Sequence, residues 1–247
     1  MKMGPATVVL VHGAWHGAWC WERVVERLTA ASVPTIAVDL PGHGADDGPF
    51  GDLHVDAARV RQALGAVAGP VVLVGHSYGG AVITEVGDHP AVSELVYLAA
   101  LALDAGETCG SAAAGEAAIA AFDHSGRPDL GAGFIPGPGG TVTLEPTVAT
   151  AALYNDCDPD TVAWALARLG PQPLVTLQQE PAAIAWRSRP STYVVCSSDM
   201  AIHPDLQRHL AKRCTVQVEW GTGHSPFLSR PDLVADLLVN DAQRHAR

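Results

Sequence analysis

The sequence predicts an α/β fold with a mostly parallel, doubly wound sheet of about six strands and a helical cap insertion. Short apolar runs rich in β-branched residues do not alternate with polar residues, which is typical of strands buried on both faces. Helical patterns separate most of these runs, as right-handed crossovers between parallel strands require. One long stretch, about residues 105–187, breaks the alternation and contains no convincing core strand.

The strands and helices follow each other along the chain in a regular order. The six predicted strands are Thr7–His12, Thr35–Leu40, Val71–His76, Glu94–Ala99, Thr192–Ser197 and Thr215–Trp220. The predicted helices between or after them are Trp19–Ala31, His54–Val67, Tyr78–Asp88 and Leu206–Lys212. A terminal helix is predicted to begin near Ser229 as its N-cap, with Pro231 in the first turn and Asp232 at the third position.

The stretch that breaks the alternation is predicted to lie over the sheet as a lid. It contains an Ala-rich helix near Glu116–Phe122, a Gly/Pro-rich loop at 126–140, and helices near Thr147–Tyr154 and Pro159–Leu169, the last capped by Asp158. The sequence has no internal repeat and no independent second core. We therefore predict a single domain over residues 1–247, with the cap insertion at about 105–187.

Composition and charge exclude several classes of function. The chain has 247 residues and a formal net charge of -11, which argues against binding nucleic acid. Its five cysteines have no C-x-x-C spacing, which disfavours a disulfide framework or a zinc site. No run approaches the ~20 apolar residues of a membrane span, and the N-terminus lacks a signal peptide pattern. We expect a cytoplasmic protein, a monomer or homodimer, that uses no metal or organic cofactor.

The strongest motif is the run Gly75-His76-Ser77-Tyr78-Gly79-Gly80, which follows a predicted strand and opens a predicted helix. This is the strand–turn–helix context in which a G-x-S-x-G pattern marks a nucleophile. Ser77 needs a sharp turn to project its hydroxyl above the sheet, and glycines on either side leave room for that turn. The positive end of the following helix favours an anion at this place. We predict Ser77 as the catalytic nucleophile, with His76 packed away from it.

A serine nucleophile needs a base within hydrogen-bond reach and a third group that orients the base. His224 alone among the eleven histidines lies between the last predicted strand and the last predicted helix, and glycines precede it. We predict His224 as the base and expect the other histidines in loop or surface roles.

The orienting acid is predicted to be Asp199, which lies just beyond the strand Thr192–Ser197. The order nucleophile, acid, base along the chain matches that of other G-x-S-x-G enzymes. Asp104, after the strand Glu94–Ala99, is the alternative that the sequence leaves open.

Acyl transfer also needs hydrogen-bond donors where negative charge develops on the carbonyl oxygen. One predicted donor is the backbone N–H of Tyr78, the residue after the nucleophile. The second is predicted to be the backbone N–H of Ala14, in the loop after the first strand. Gly13 lets that backbone approach closely, and we predict that Gly13 and Trp15 contact the substrate. For Trp15, a role in the core is an equal alternative.

These residues resemble the α/β-hydrolase superfamily. The resemblance is carried by His12–Trp21, by the turn Asp39–Gly44, by the run around Ser77 and by Gly223-His224. More narrowly, the chain is similar to the plant methylesterase and hydroxynitrile lyase branch and its bacterial esterase relatives, notably in Asp199–Gln207 and Leu153–Cys157. One class of these lyases carries Thr where Gly13 stands and Lys where Ser225 follows the histidine, and that Lys supplies positive charge for departing cyanide. Both features are absent here, so the resemblance implies an esterase.

The sequence therefore predicts a carboxylesterase-type serine hydrolase that cleaves small, fairly hydrophobic esters through an acyl-enzyme on Ser77. Three alternatives stay open. They are cyanohydrin cleavage as in the lyases, lactonase or amidase action with the same residues, and a slow-hydrolase receptor that mainly binds its ligand.

Overall fold

The computed structural model describes residues 4–114 and 125–246. Its strands are β1 (Thr7–Val11), β2 (Thr35–Val38), β3 (Val71–His76), β4 (Val92–Leu98), β5 (Phe134–Pro136), β6 (Thr141–Leu144), β7 (Gln172–Pro173), β8 (Ser191–Cys196) and β9 (Val216–Trp220). Its α-helices are α1 (Glu22–Ala30), α2 (Leu53–Gly65), α3 (Gly79–Val86), α4 (Cys109–Ala114), α5 (Pro146–Leu153), α6 (Pro159–Leu166), α7 (Pro204–Ala211), α8 (Pro226–Ser229) and α9 (Pro231–Arg244).

A six-stranded sheet with the order β2-β1-β3-β4-β8-β9 organises the molecule. All of its pairings are parallel, with Val9 of β1 opposite Ile36 on one side and Leu73 on the other. The predicted fold class, a mostly parallel sheet of about six strands with helices, is confirmed. Because the strands are parallel, the loops that follow them meet at one edge of the sheet.

Burial differs between the centre and the edges of this sheet. Every residue of β3 and β8 is buried, because each of these strands has a neighbour on both sides. The prediction of burial on both faces is wrong for β9, where Val216 is 44% exposed. β9 is at the edge of the sheet, so one of its sides has no neighbouring strand and faces solvent.

Two pairs of helices cover the sheet, α1 packed on α9 and α2 packed on α3. The Asp52 side chain caps α2 by accepting a hydrogen bond from Val55 N–H at 3.0 Å. A short 3₁₀ helix, Ala18–Trp21, precedes α1 and accounts for the first part of the predicted helix there. Across residues 4–114 and 125–246, none of the helices has both the length and the apolar character to cross a membrane.

Residues 105–187, here called the cap segment, lie between β4 and β8 in the chain. Helices α5 and α6 occupy the two predicted positions, and Asp158 caps α6 by accepting from Thr161 N–H at 2.9 Å. A small antiparallel sheet, β5-β6-β7, was not predicted, because its strands have only two to four residues. The helix predicted near Glu116–Phe122 lies outside the described residues.

The start of the terminal helix differs from the prediction. Ser229 is the last residue of α8 and does not cap α9, and its hydroxyl donates to Asp156 Oδ2 at 2.9 Å. Arg230 occupies the N-cap position, and its side chain pairs with Asp232 in the first turn. The motif Ser-Arg-Pro-Asp is typical of the start of one helix. Here Pro226 begins a separate short helix, α8, which includes Ser229.

Candidate active site

Ser77 lies in the sharp turn between β3 and α3, with a backbone φ of +52°. A non-glycine residue in this conformation is strained, and such strain is characteristic of a nucleophile elbow. The turn depends on its glycines. A Cβ on Gly75 would lie 2.4 Å from Gly79 O, and one on Gly79 would lie 2.6 Å from His12 O.

Asp199 and His224 follow β8 and β9, and the structure brings their side chains together. His224 Nδ1 lies 2.7 Å from Asp199 Oδ2, and both side chains are buried. Since a carboxylate only accepts, the ring donates from Nδ1, which leaves Nε2 of a neutral ring free to accept a proton. The alternative acid, Asp104, forms an ion pair with Arg187 at the surface.

Four donors converge on the Asp199 carboxylate. Oδ1 accepts from the backbone N–H groups of Ala201 at 2.7 Å and Ile202 at 2.9 Å. Oδ2 accepts from Gln207 Nε2 at 2.7 Å as well as from His224. These bonds satisfy the buried carboxylate and fix its orientation toward the ring.

Ser77 and His224 line the same cavity, but no hydrogen bond joins the Ser77 hydroxyl to His224 within residues 4–114 and 125–246. Such contacts are often long in an unliganded enzyme and tighten when substrate binds. The structure therefore brings the predicted nucleophile, base and acid to one cavity, with the predicted base and acid in contact.

His76 is placed where it does not compete with His224. Its Nε2 donates to the backbone O of His224 at 2.9 Å, and its ring packs 4.6 Å from the His224 ring. Burial lowers the pKa of His76 well below its ordinary value. A neutral His76 thus supports the loop that carries His224 without adding charge beside it.

The loop after β1, residues 12–16, runs beside the nucleophile and is called the β1 loop. A Cβ on Gly13 would lie 2.9 Å from Ser77 Cβ, so only glycine permits this approach. The N–H groups of Ala14 and Tyr78, the two predicted oxyanion donors, have no acceptor among the described residues. Two backbone donors without partners are what a developing oxyanion requires.

Three histidines that were expected in loop or surface roles are buried. His12 and His16 are buried, and burial lowers their pKa values to about 3 and about 4. His43, in the loop after β2, is also buried and has a lowered pKa for the same reason. All three lie in loops, as predicted, but they act as neutral polar groups inside the protein.

The cavity above Ser77 has a volume of about 710 Å³ and walls that are mainly apolar. Its apolar lining includes Leu101, Leu130, Phe134, Leu153, Leu174, Leu177, Met200, Ile202 and Leu206. Trp15 lines it too and is buried, with its ring 5.8 Å from that of Phe134, and its contact with substrate stays a prediction. Gly13 does not line the cavity, and its contribution is the close approach to Ser77.

One charged side chain of the cap segment reaches the loop that carries Asp199. Arg127 lines the cavity and donates to the backbone O of Asp199 at 2.6 Å. Burial lowers the pKa of this guanidinium, while the nearby Asp199 carboxylate opposes that shift. The cap segment and the acid loop are therefore joined at the cavity wall.

Several residues around this site were missed by sequence reasoning. Gln172 contacts partners that lie on other loops, and no local pattern marks it. Gln207 lies in the segment Asp199–Gln207 that carries the family resemblance, but its hydrogen bond to Asp199 was not predicted. Asp56 is different, because it interrupts the apolar face of α2 between Leu53 and Val60. A carboxylate at such a position is a usable signal of a buried polar contact.

No group of three or more His, Cys, Asp or Glu side chains is placed to hold a metal ion in the part of the chain that the structure describes.

The chain is similar to several known proteins. Residues 8–237 match the model of the alpha/beta hydrolase family. The chain is 30% identical to an alpha/beta hydrolase of Aspergillus novofumigatus, over 95% of this chain and 96% of that one. It is 28% identical to a probable esterase of Oryza sativa, over 99% of this chain and 100% of that one. It superposes on a methylesterase from Arabidopsis with a TM-score of 0.74 and 24% identity, covering 95% of this chain and 98% of that one.

Proposed function

The chain belongs to the alpha/beta hydrolase family and is a hydrolase of the carboxylesterase type, and we propose that it cleaves carboxylic esters of small, fairly hydrophobic molecules through an acyl-enzyme on Ser77. The observation that supports this most is the hydrogen bond of 2.7 Å between Asp199 and His224, at a cavity that Ser77 also lines. The similarity to plant esterases predicted from the sequence is confirmed.

The proposed reaction has two acyl transfers. His224 Nε2 takes the proton from the Ser77 hydroxyl while Oγ attacks the ester carbonyl, and Asp199 stabilises the resulting imidazolium. The N–H groups of Ala14 and Tyr78 donate to the oxyanion of the tetrahedral intermediate. The C–O bond to the alcohol then breaks, and the alcohol takes the proton from His224. A water molecule repeats the sequence on the acyl-enzyme and releases the acid.

The cavity favours an uncharged acyl group of modest size. Its walls are mainly Leu, Ile, Met and aromatic side chains, which gain free energy when apolar groups leave water. A volume of about 710 Å³ accommodates a small molecule and its leaving group together.

The test is hydrolysis of p-nitrophenyl esters from acetate to decanoate by the wild type and by S77A. Removing the nucleophile should lower kcat by about 10⁴- to 10⁶-fold, since such residues act as one unit. S188A is a matched control, because Ser188 lies outside the cavity and, among the described residues, its hydroxyl donates only to Ala185 O. Covalent labelling of Ser77 by a phosphonate ester, followed by mass spectrometry, should occur in the wild type and in S188A.

Near-normal turnover by S77A would overturn the assignment of the nucleophile. A folded wild type with negligible turnover on every ester would overturn the esterase proposal, and cyanohydrins such as mandelonitrile would then be the next substrates.

A further inference from the structure

The β1 loop is held in place by the cap segment rather than by the sheet. Trp15 has a backbone φ of +64°, which a non-glycine residue rarely adopts without support. Its N–H donates to Gln172 Oε1 at 3.2 Å, and its carbonyl accepts from Gly170 N–H at 2.8 Å. Its indole Nε1 donates to Val142 O at 3.2 Å. Three contacts to the cap segment therefore hold this one strained residue.

Gln172 is the central group in this arrangement. It is fully buried, its Oε1 accepts from Trp15 N–H, and His43 Nε2 lies 3.0 Å from the same oxygen. Its Nε2 donates to Thr176 Oγ1 at 2.7 Å. An apolar side chain of the same size would leave the Trp15 N–H without this acceptor, which is costly in free energy.

The peptide between Gly13 and Ala14 carries one of the two proposed oxyanion donors. His12 Nδ1 donates to Gly13 O at 2.8 Å, and His12 Nε2 accepts from Leu40 N–H at 3.2 Å. In a trans peptide the C=O and N–H point in opposite directions. Tying the Gly13 carbonyl to His12 therefore aims the Ala14 N–H the other way, where it has no acceptor among the described residues.

The next peptide, between Ala14 and Trp15, is tied at both ends. His16 Nδ1 donates to Ala14 O at 2.8 Å, and Gln172 accepts from Trp15 N–H. The two peptides share the Cα of Ala14, so the plane of the second limits the rotation of the first. Gln172 thus acts on the Ala14 N–H through the backbone without touching it.

We propose that Gln172 is a positioning residue that holds the β1 loop so that the Ala14 N–H stays directed at the oxyanion. This inference rests on the proposed esterase function. It assigns to the cap segment a part in stabilising the transition state in addition to lining the cavity. Loss of Gln172 should weaken an interaction that is made only when the carbonyl oxygen becomes negative, so kcat should fall while KM changes little.

The experiment compares Q172M and Q172N with the wild type on p-nitrophenyl butyrate. Methionine removes the acceptor of the Trp15 N–H, and asparagine shortens the side chain that carries this acceptor by one methylene. We expect kcat to fall about 10- to 100-fold in both variants, less than the complete loss of an oxyanion donor would cost. KM should stay within about 3-fold of the wild-type value in both.

A pair of inhibitors separates positioning from general damage. A trifluoromethyl ketone adds the Ser77 hydroxyl and forms a tetrahedral hemiketal oxyanion, whereas the matching methyl ketone binds with its carbonyl planar. Affinity for the trifluoromethyl ketone should fall in proportion to kcat/KM, while affinity for the methyl ketone should not change. T192V is the matched control, since Thr192 is buried, donates to Glu94 and lies at the amino end of β8, away from the site.

The outcomes are distinct. Unchanged kcat in both Q172M and Q172N overturns the proposal, and so does an equal fall in T192V or an equal loss of affinity for both ketones. If Q172M does not fold, Q172N decides by the same criteria. Absence of turnover and of Ser77 labelling in the wild type would refute the esterase function instead, and would be seen before any variant is compared.

Discussion

Two buried carboxyl groups contact residues of the proposed active site, and their surroundings are opposite. On the His224 side, Asp199 accepts four hydrogen bonds. On the Tyr78 side, Asp56 accepts one, from the Tyr78 hydroxyl at 2.6 Å, and its Oδ1 has no partner among the described residues. Burial raises the pKa of Asp56 to about 7.

The difference shows that two buried carboxyl groups near one site can have opposite environments. Four donors hold Asp199 toward His224, whereas desolvation with a single donor favours the neutral form of Asp56. In the proposed reaction, Asp199 stabilises the imidazolium that His224 forms. Asp56 contacts the hydroxyl end of Tyr78, and no part in the reaction is proposed for it.

The largest expected effect is a difference in kcat between variants of the two carboxyl groups. D199N should lower kcat by about 10³- to 10⁴-fold, because an amide neither orients nor stabilises the His224 ring in the required form. D56N should stay within about 10-fold of the wild type, since its amide oxygen still accepts from Tyr78. Both are measured as kcat on p-nitrophenyl butyrate, with circular dichroism to confirm folding. Similar losses in the two variants would contradict the comparison.

The second prediction concerns stability and pH. The pKa of Asp56 is about 7 in the folded protein and about 4 in the unfolded chain, so between these values only the folded state holds the proton. Raising the pH through this window favours the unfolded state, and the free energy of unfolding should fall by about 1.4 kcal/mol per pH unit from this group. D56N lacks this contribution, so its stability relative to the wild type should rise between pH 5 and pH 8.

Urea denaturation of the wild type and D56N at pH 5 and pH 8 measures this change. Taking the difference between the two proteins cancels the contributions of other titrating groups. The gain of D56N on going from pH 5 to pH 8 should be on the order of 2 kcal/mol. No gain would mean that Asp56 is ionised at pH 5, and the contrast with Asp199 would then be lost.

Parts of the site that stand at the ends of strands can be predicted from the sequence. Ser77, Asp199 and His224 stand at the ends of predicted strands, and the alternation of strands and helices implies that these ends meet at one edge. The structure puts Asp199 in contact with His224, as that reasoning expects.

Other contacts follow no local rule. Gln172 and Trp15 are 157 positions apart in the sequence and meet only because the cap segment folds back over the β1 loop. The strands β5 to β7 are too short to show a period, and Ser229 imitates an N-cap signal that the neighbouring helix α8 displaces. Such features depend on tertiary packing, so local patterns in the sequence do not predict them.

The smallest predicted effect tests whether contacts beyond Asp199 help to position His224. Asp156, at the end of the turn after α5, accepts from Gly223 N–H at 2.6 Å and from Ser229 Oγ at 2.9 Å. It therefore holds the residue immediately before His224. The contact with Gly223 is part-buried, and one such hydrogen bond contributes about 1 kcal/mol, equivalent to about a 5-fold change in rate.

We therefore expect D156A to lower kcat/KM by about 3- to 10-fold and D156N to stay within about 2-fold, because the amide oxygen still accepts from Gly223 N–H. D160A, in the exposed first turn of α6, is the control for loss of a surface carboxylate from the cap segment. If D156N lost as much activity as D156A, the charge of Asp156 rather than its hydrogen bond would be what matters. If neither variant lost activity, the hydrogen bonds of Asp199 would be enough to position His224, and the contacts of Asp156 would not contribute.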